Sequence, residues 1–122
     1  MPGDGLAGRG RRGARYARPV PLTGKQRSRL RALAHHLEPV VLVGKAGVTP
    51  GVVAQLDEQL AAHELLKVRL GDAVPAEPRE VGAALAAATS AELVQAVGRT
   101  IVLFRRRRRG RPKVRLSGRG AD

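Results

Sequence analysis

The chain of 122 residues lacks cysteine and tryptophan, and only Tyr16 and Phe104 are aromatic. Without cysteine, disulfides and thiolate metal sites are excluded. No apolar run approaches the roughly 20 residues that cross a bilayer, and the N-terminus has no apolar segment typical of a secretory signal. We therefore expect a cytoplasmic protein, with an Arg-rich organellar transit peptide as the open alternative. The hydrophobic fraction of 43% is enough for one domain with an aliphatic core.

Acidic residues are scarce at both ends of the chain, which carries a net charge of +13. Residues 22–104 hold nine basic and eight acidic residues, whereas 1–21 hold five arginines and one aspartate, and 105–122 hold nine basic residues and one aspartate. This composition predicts a disordered N-terminal arm (1–21), a domain (22–105) and a disordered Arg-rich tail (106–122). Such tails indicate a polyanionic partner, most often nucleic acid, although a solubilising or localising role is the alternative.

Apolar spacing along residues 22–105 alternates between helical and extended patterns. It predicts helices at about 23–37, 50–63 and 78–89, and strands at 40–43, 65–70, 92–97 and 100–105. Thr23 and Gln26 have the spacing of a capping box at the first helix start. The order α-β-α-β-α-β-β predicts a compact α/β domain with a four-stranded mixed sheet, one face of which the helices bury.

Basic residues recur on three predicted elements. The first helix has four of them in seven positions, which favours an anion-facing helix over an ordinary solvated face. The second strand alternates apolar and basic residues, so its outer face should be basic. A two-residue loop that starts with glycine fits a type II′ hairpin turn and should hold the next residue in solvent. The residues concerned are Lys25, Arg27, Arg29 and Arg31 on the helix, Lys67 and Arg69 on the strand, and Arg99 at the turn.

Catalytic constellations are missing from the sequence. No serine stands in a pattern with histidine and an acidic residue, and the adjacent His35 and His36 point about 100° apart on a helix, which prevents them from converging on a metal. A P-loop would need glycine at Pro39 and a hydroxyl at Ala46. We therefore predict a protein that is not an enzyme and that has no cofactor, no metal and no small-molecule substrate.

The stretch Gly44-Lys45-Ala46-Gly47 joins the first predicted strand, Val40–Val43, which its apolar residues predict to be buried, to a helix that begins with Thr49 as N-cap and Pro50. Glycines let another backbone approach closely, and a helix N-terminus carries a partial positive charge. A Gly-x-x-Gly loop clamps nucleotides in KH domains, although two turn glycines are the default interpretation of such a short pattern. The scarcity of aromatics argues against base-stacking platforms such as the RRM. The combination favours contact with a nucleic-acid backbone.

Five segments in consistent order resemble the YhbY group of CRM-domain proteins. They are Leu22–Gln26, Leu30–His35, Pro39–Thr49, His63–Val68 and Val97–Arg105, which together span residues 22–105. The resemblance implies an RNA-binding domain similar to the C-terminal domain of translation initiation factor 3. Bacterial single-domain members associate with precursors of the large ribosomal subunit, and plant organellar relatives act in intron splicing. The family's loop corresponds to Gly44–Gly47, and its basic helix to Lys25–Arg31.

These observations predict a protein that binds ribosomal RNA in precursor large subunits, assists their assembly and does not insert in membranes. We expect a monomer, although the sequence leaves the oligomeric state open. The predicted RNA contacts are Gly44, Lys45, Ala46, Gly47, Lys25, Arg27, Arg29, Arg31, Lys67, Arg69, Arg99 and Arg105. The alternative is a general polyanion-binding module, for RNA or DNA, driven by its basic tails.

Overall fold

Seven elements follow one another in the predicted order in the computed structural model, which describes residues 22–107, 110–114 and 116. They are α1 (Gly24–Ala34), β1 (Pro39–Val43), α2 (Pro50–His63), β2 (Leu65–Leu70), α3 (Pro78–Thr89), β3 (Glu92–Val97) and β4 (Thr100–Phe104). The predicted α/β class with a four-stranded mixed sheet is confirmed. The predicted N-terminal arm, 1–21, lies outside the described residues, as do 108–109, 115 and 117–122.

The sheet has the order β1-β2-β4-β3. β1 and β2 are parallel and joined through α2, whereas β4 is antiparallel to both β2 and β3. The β3–β4 connection is a hairpin in which Gly98 has a φ of +57°. Glycine adopts that backbone conformation at little cost, as the first position of a type II′ turn requires.

Helices cover both faces of the sheet, so the prediction of one buried face was wrong. On one face α2 and α3 pack over a large aliphatic cluster that includes Leu56, Val68, Leu85 and Ile101. On the other face α1 brings Leu30 and Ala34 onto a smaller cluster, which we call the α1-side cluster: Leu30, Ala34, Leu65, Val94, Val102 and Phe104. The sequence did not predict this second buried face, because on that side of β2 Leu65 is followed by the basic residues Lys67 and Arg69.

The α1 helix ends at Ala34, three residues before the predicted end. The Leu37 amide donates to the Ala34 carbonyl at 2.9 Å, a tight final turn that stops the α-helical pattern. Leu33, in the last turn of α1, is half-buried against the α1-side cluster, and Leu37, beyond the helix end, is exposed. The predicted capping box is present, because Thr23 and Gln26 each accept the other's backbone N–H at 3.0 Å.

Strand β1 lies at the edge of the sheet, and α1 packs mainly on β2, β3 and β4. Val41 and Val43 are buried under α2, but Val40 and Leu42 point to the other face and are exposed. The prediction of a fully buried strand was therefore wrong at those two positions. An edge strand also accommodates Pro39 as its first residue, because no ladder hydrogen bond is lost there.

The described part of the Arg-rich C-terminus packs against the domain. We call residues 106–107, 110–114 and 116 the C-terminal strap. Val114 and Leu116 pack against the α1-side cluster, and the backbone N–H groups of Lys113 and Val114 bond to Glu64. Disorder had been predicted for these residues on charge repulsion alone, and the structure corrects it, because repulsion is outweighed by bonds to one buried carboxylate.

Candidate nucleic-acid interface

The Gly44–Gly47 segment, which we call the glycine loop, is a tight exposed turn at one end of the sheet. The Gly47 amide donates to the Gly44 carbonyl at 2.9 Å, and Gly47 has a φ of +76°. Gly71, directly after β2, donates its amide to the Val43 carbonyl at 2.9 Å and so fixes the strand end from which the loop starts. The side chain of Lys45 is exposed at the tip.

The two glycines differ in what the fold demands of them. Gly47 needs its left-handed φ, which L side chains rarely adopt. Gly44 has no such φ, and a Cβ placed there would have no neighbour within 4 Å. Neither backbone conformation nor packing within the domain thus requires glycine at position 44. Glycine at this exposed position leaves room for the backbone of another molecule to approach closely.

The start of α2 stands behind the glycine loop, but most of its donors are already used. Thr49 caps the helix as predicted, accepting the Val52 amide on its hydroxyl at 3.1 Å and the Val53 amide on its carbonyl at 3.0 Å. Pro50 has no N–H. The start of α2 can therefore attract an anion through the helix dipole but has few free N–H groups to bond it. Direct contacts with an anion must come from the glycine loop.

An open groove of about 320 Å³ lies between the glycine loop and α3. Its lining is largely apolar, and its two charged residues are Lys45 from the glycine loop and Glu80 from α3. Val74, in the β2–α3 loop, also lines the groove. The groove thus places an aliphatic surface beside a basic tip.

Arg99 was predicted to point into solvent, and the structure contradicts this. Its Nη2 donates to the Gly71 carbonyl at 2.7 Å and to the Val74 carbonyl at 2.9 Å, so the side chain folds back from the hairpin turn. These are charge-assisted hydrogen bonds, which are stronger than neutral ones, and they hold the guanidinium against the β2–α3 loop. Arg99 thereby positions the loop that forms one wall of the groove.

Lys67 and Arg69 lie on the α1 side of the sheet, because Leu66, Val68 and Leu70 occupy the other side. Arg69 is exposed and Lys67 is half-buried. Arg69 pairs with Leu42 across the β1–β2 ladder, and Leu42 is 60% exposed. A basic and aliphatic strip, made by Val40, Leu42, Lys67 and Arg69, therefore runs along β1 and β2 towards the glycine loop.

The basic residues of α1 do not act as one group. Lys25 and Arg31 are exposed and Arg29 is half-buried. Arg27 instead donates from Nη1 to the Leu93 carbonyl at 2.6 Å and, more weakly, to that of Val94 at 3.3 Å, which ties α1 to a bulge in β3. Arg27 and Arg31 line an open groove at the outer edge of β3, where Arg79 joins them. Among the described contacts, none links these residues to the glycine loop.

Arg105 holds the helices on the end of β4. Its Nη1 is 2.6 Å from the Asp57 carboxylate in α2 and 3.0 Å from the Thr89 carbonyl in α3, and its Nη2 donates to the Asp57 carbonyl at 3.1 Å. The guanidinium side chain is only 13% exposed. The geometry makes Arg105 a brace within the domain, at the end of α3 that is remote from the groove.

Glu64 is a residue that sequence analysis missed. It lies between α2 and β2 with a φ of +65°, and it is fully buried. Its carboxylate accepts hydrogen bonds from the strap. An acidic residue at a helix–strand junction is typical of an exposed connection, so no pattern signalled this role.

Other kinds of site are not found in the part of the chain that the structure describes. No cluster of three or more histidine, cysteine or acidic side chains there could hold a metal ion. Within the same residues, no helix is long and apolar enough to span a bilayer. The features that remain are the glycine loop with its groove, the basic strip, and the arginine-lined groove at the outer edge of β3.

The fold and the loop together define a class, small α/β domains that present a glycine loop at one end of a mixed sheet. The chain belongs to the CRS1/YhbY (CRM) domain family, whose model matches residues 22–105. It is 43% identical over 84 residues to the Probable RNA-binding protein YqeI of Bacillus subtilis, covering 69% of this chain and 88% of the relative. It is 40% identical over 84 residues to an RNA-binding protein of Haemophilus influenzae, covering 69% and 85%.

A protein of Staphylococcus aureus, solved in solution, has a similar structure. It superposes with a TM-score of 0.65 and 36% sequence identity, over 75% of this chain and 95% of that chain. This likeness confirms the fold class, and the family match confirms the resemblance to the YhbY group. The two relatives are named for RNA binding and not for catalysis, in keeping with the prediction that the chain is not an enzyme.

Proposed function

We propose that this protein binds ribosomal RNA in precursor large ribosomal subunits of the bacterial cytoplasm and assists their assembly without catalysing a reaction. RNA binding is supported by the names of the family relatives. The ribosomal target is supported by the resemblance to the YhbY group. The glycine loop is the part of the domain that meets the RNA backbone.

The observation that carries the proposal is Gly44. Its conformation and surroundings would accept any small side chain, and glycine at this exposed loop lets a phosphate–sugar backbone approach closely. Lys45 lies next to it and is exposed, which supplies a cation at the point of closest approach. Gly47 has the separate task of closing the turn.

The basic and aliphatic strip extends the contact from the loop across the sheet. Arg69 gives an exposed cation for a further phosphate, and Leu42 beside it gives an apolar surface for a ribose or a base. Attraction between the basic side chains and the RNA phosphates supplies the affinity in this account. The strip has no aromatic side chain on which a base could stack. We therefore expect the domain to recognise RNA shape more than base sequence.

The test is sedimentation of the full-length protein with precursor large subunits at moderate salt. We expect the wild-type protein to sediment with the precursors, and Lys45→Glu to reduce the bound fraction severalfold. Arg79→Glu is the matched control, because it reverses one exposed charge on α3 outside the proposed interface.

Equal losses in Lys45→Glu and Arg79→Glu would mean that the glycine loop contributes no more to binding than a basic residue elsewhere on the domain. That result, together with equal affinity for duplex DNA, would favour the general polyanion-binding alternative. Absence of the wild-type protein from the precursor fractions would refute the ribosomal assignment.

A further inference from the structure

Glu64 combines full burial with an unusual backbone conformation, and neither feature is needed for the RNA contact proposed at the glycine loop. Its side chain is fully buried and its backbone is held at a φ of +65°, a conformation that L residues rarely adopt. A buried carboxylate is costly unless hydrogen bonds compensate the loss of water. The fold therefore keeps an acidic residue in a buried place and in a rare backbone conformation, and its partners indicate why.

Every described partner of the Glu64 carboxylate lies in the strap. Oε2 accepts the Arg107 amide at 2.7 Å, and Oε1 accepts the amides of Lys113 and Val114 at 2.6 and 2.8 Å. The Arg106 guanidinium approaches Oε1 at 3.4 Å. Three backbone N–H groups of the strap bond to this one carboxylate. A backbone N–H reaches its acceptor only if the chain itself runs past it, so these bonds fix the path of the strap.

The strap's arginines make further contacts with the domain. Arg107 donates from Nη2 to the Ala62 carbonyl at 3.1 Å, and its Nε reaches the Ala61 carbonyl at 3.4 Å, both at the carboxyl end of α2. The positive charge of Arg107 suits the negative end of that helix dipole. Arg106 lies over the Phe104 ring at 5.4 Å. These cations are engaged within the domain.

The remaining cations of the described strap face solvent. Arg111 and Lys113 are exposed, and they follow the strap's fixed path across the carboxyl end of α2. The glycine loop lies at the opposite end of that helix. Because α2 has 14 residues, the two ends are about 21 Å apart.

We propose that Glu64 anchors the strap so that Arg111 and Lys113 form a second RNA-contact surface at a fixed distance from the glycine loop. The proposal rests on the RNA-binding function proposed above and adds a second point of attachment. Two fixed sites on one strand bind cooperatively through effective concentration, provided that the RNA can reach both. A stacked strand at roughly 3.4 Å per nucleotide needs at least about six nucleotides to cover the distance.

Hydrogen exchange tests the anchor without RNA. We expect the amides of Arg107, Lys113 and Val114 in the full-length protein to exchange at least about tenfold more slowly than in Glu64→Gln. In that variant the side-chain NH2 group replaces one acceptor oxygen, and as a donor it cannot bond to the backbone N–H groups of the strap. Val114→Pro removes one of the amides and leaves Glu64 in place. Glu58→Gln is the control, with the same charge change at an exposed position of α2.

RNA length tests the second surface. We expect lengthening a single-stranded RNA from about four to about 15 nucleotides to raise wild-type affinity at least tenfold. Glu64→Gln and Val114→Pro should bind the short RNA like the wild-type protein and lose most of this gain, whereas Glu58→Gln should keep it.

Separate outcomes would overturn the two proposals. Unprotected amides in the wild-type protein would refute the anchor. The second RNA surface would be refuted if the strap amides are protected but Glu64→Gln and Val114→Pro still bind the longer RNA as much more tightly as the wild-type protein does. If the wild-type protein binds RNA of neither length, the proposed function fails and the second surface fails with it, while the exchange data still decide the anchor.

Discussion

Replacing Arg105 by alanine separates a brace within the domain from an RNA contact. The guanidinium donates hydrogen bonds to the Asp57 carboxylate and to the carbonyls of Asp57 and Thr89, and its side chain is only 13% exposed. A hydrogen bond to a charged group contributes about 1.5–3 kcal/mol, and Asp57 regains some hydration after the change. We expect Arg105→Ala to lower the free energy of unfolding by about 2 kcal/mol, which corresponds to roughly 10 °C in Tm.

The matched variant is Lys45→Ala, which removes an exposed cation from the glycine loop. Its Tm should be unchanged, because surface substitutions away from packed features usually stay within about 0.5 kcal/mol. Its RNA affinity should fall less steeply with salt, since each lost phosphate contact lowers the slope of log K against log salt by about 0.7 for single strands. Arg105→Ala should keep the wild-type slope at temperatures where it is folded.

Thermal unfolding by circular dichroism and RNA titrations at several salt concentrations measure both effects on the same samples. An unchanged Tm in Arg105→Ala combined with a reduced salt slope would refute the structural role assigned to Arg105. It would instead restore the RNA contact expected from the sequence.

Three further changes test the packing around the site by the free energy of unfolding. Gly47→Ala should cost about 1–2 kcal/mol, because alanine disfavours a φ of +76°; no measurable loss would contradict the turn geometry. Gly82→Val should cost at least about 1–3 kcal/mol, since even a Cβ at that position would lie 2.8 Å from a Leu93 methyl and 3.1 Å from a methyl of the stiff Ile101. An unchanged free energy of unfolding would contradict this close packing of α3 on the sheet. Thr23→Ala should cost about 1 kcal/mol through loss of the capping box, and an equal loss in Thr23→Ser would show that the hydroxyl bond is not the cause.

The strap has a consequence for any fragment that ends at residue 105. Such a fragment would lack the three backbone donors to Glu64 and the apolar contacts of Val114 and Leu116. A carboxylate that loses its partners is strongly destabilising while it stays buried. RNA binding should therefore be tested on the full chain, because a truncated one would lose stability together with charge.

The helices and strands could be predicted because their signals are local. Thr23 and Gln26 cap α1, Thr49 and Pro50 start α2, and alternating residues identify β2. These features depend on neighbours within four residues, which a sequence pattern captures directly. The glycine loop was found for the same reason, since it lies between a short apolar strand and a helix start.

The tertiary roles of charged residues could not be predicted in this way. Arg99 and Arg105 bind atoms 25 and 16 or more positions away, and Arg27 binds a carbonyl 66 positions away. A run of arginines looks like a solvated tail in sequence because repulsion is local, whereas its partner Glu64 is more than 40 positions distant. Glycine inside a helix usually weakens it, yet Gly82 allows α3 to approach β3 and β4 closely.

The most direct measurement of the central claim is the RNA affinity of the full-length Gly44→Ala variant beside the wild-type protein. Alanine at position 44 has no neighbour within 4 Å and no left-handed φ to adopt, so the Tm should be unchanged. We predict that affinity for single-stranded RNA falls at least about tenfold, because the added methyl group stands where the RNA backbone approaches. An affinity equal to that of the wild-type protein at the same Tm would contradict the claim that the glycine loop contacts RNA.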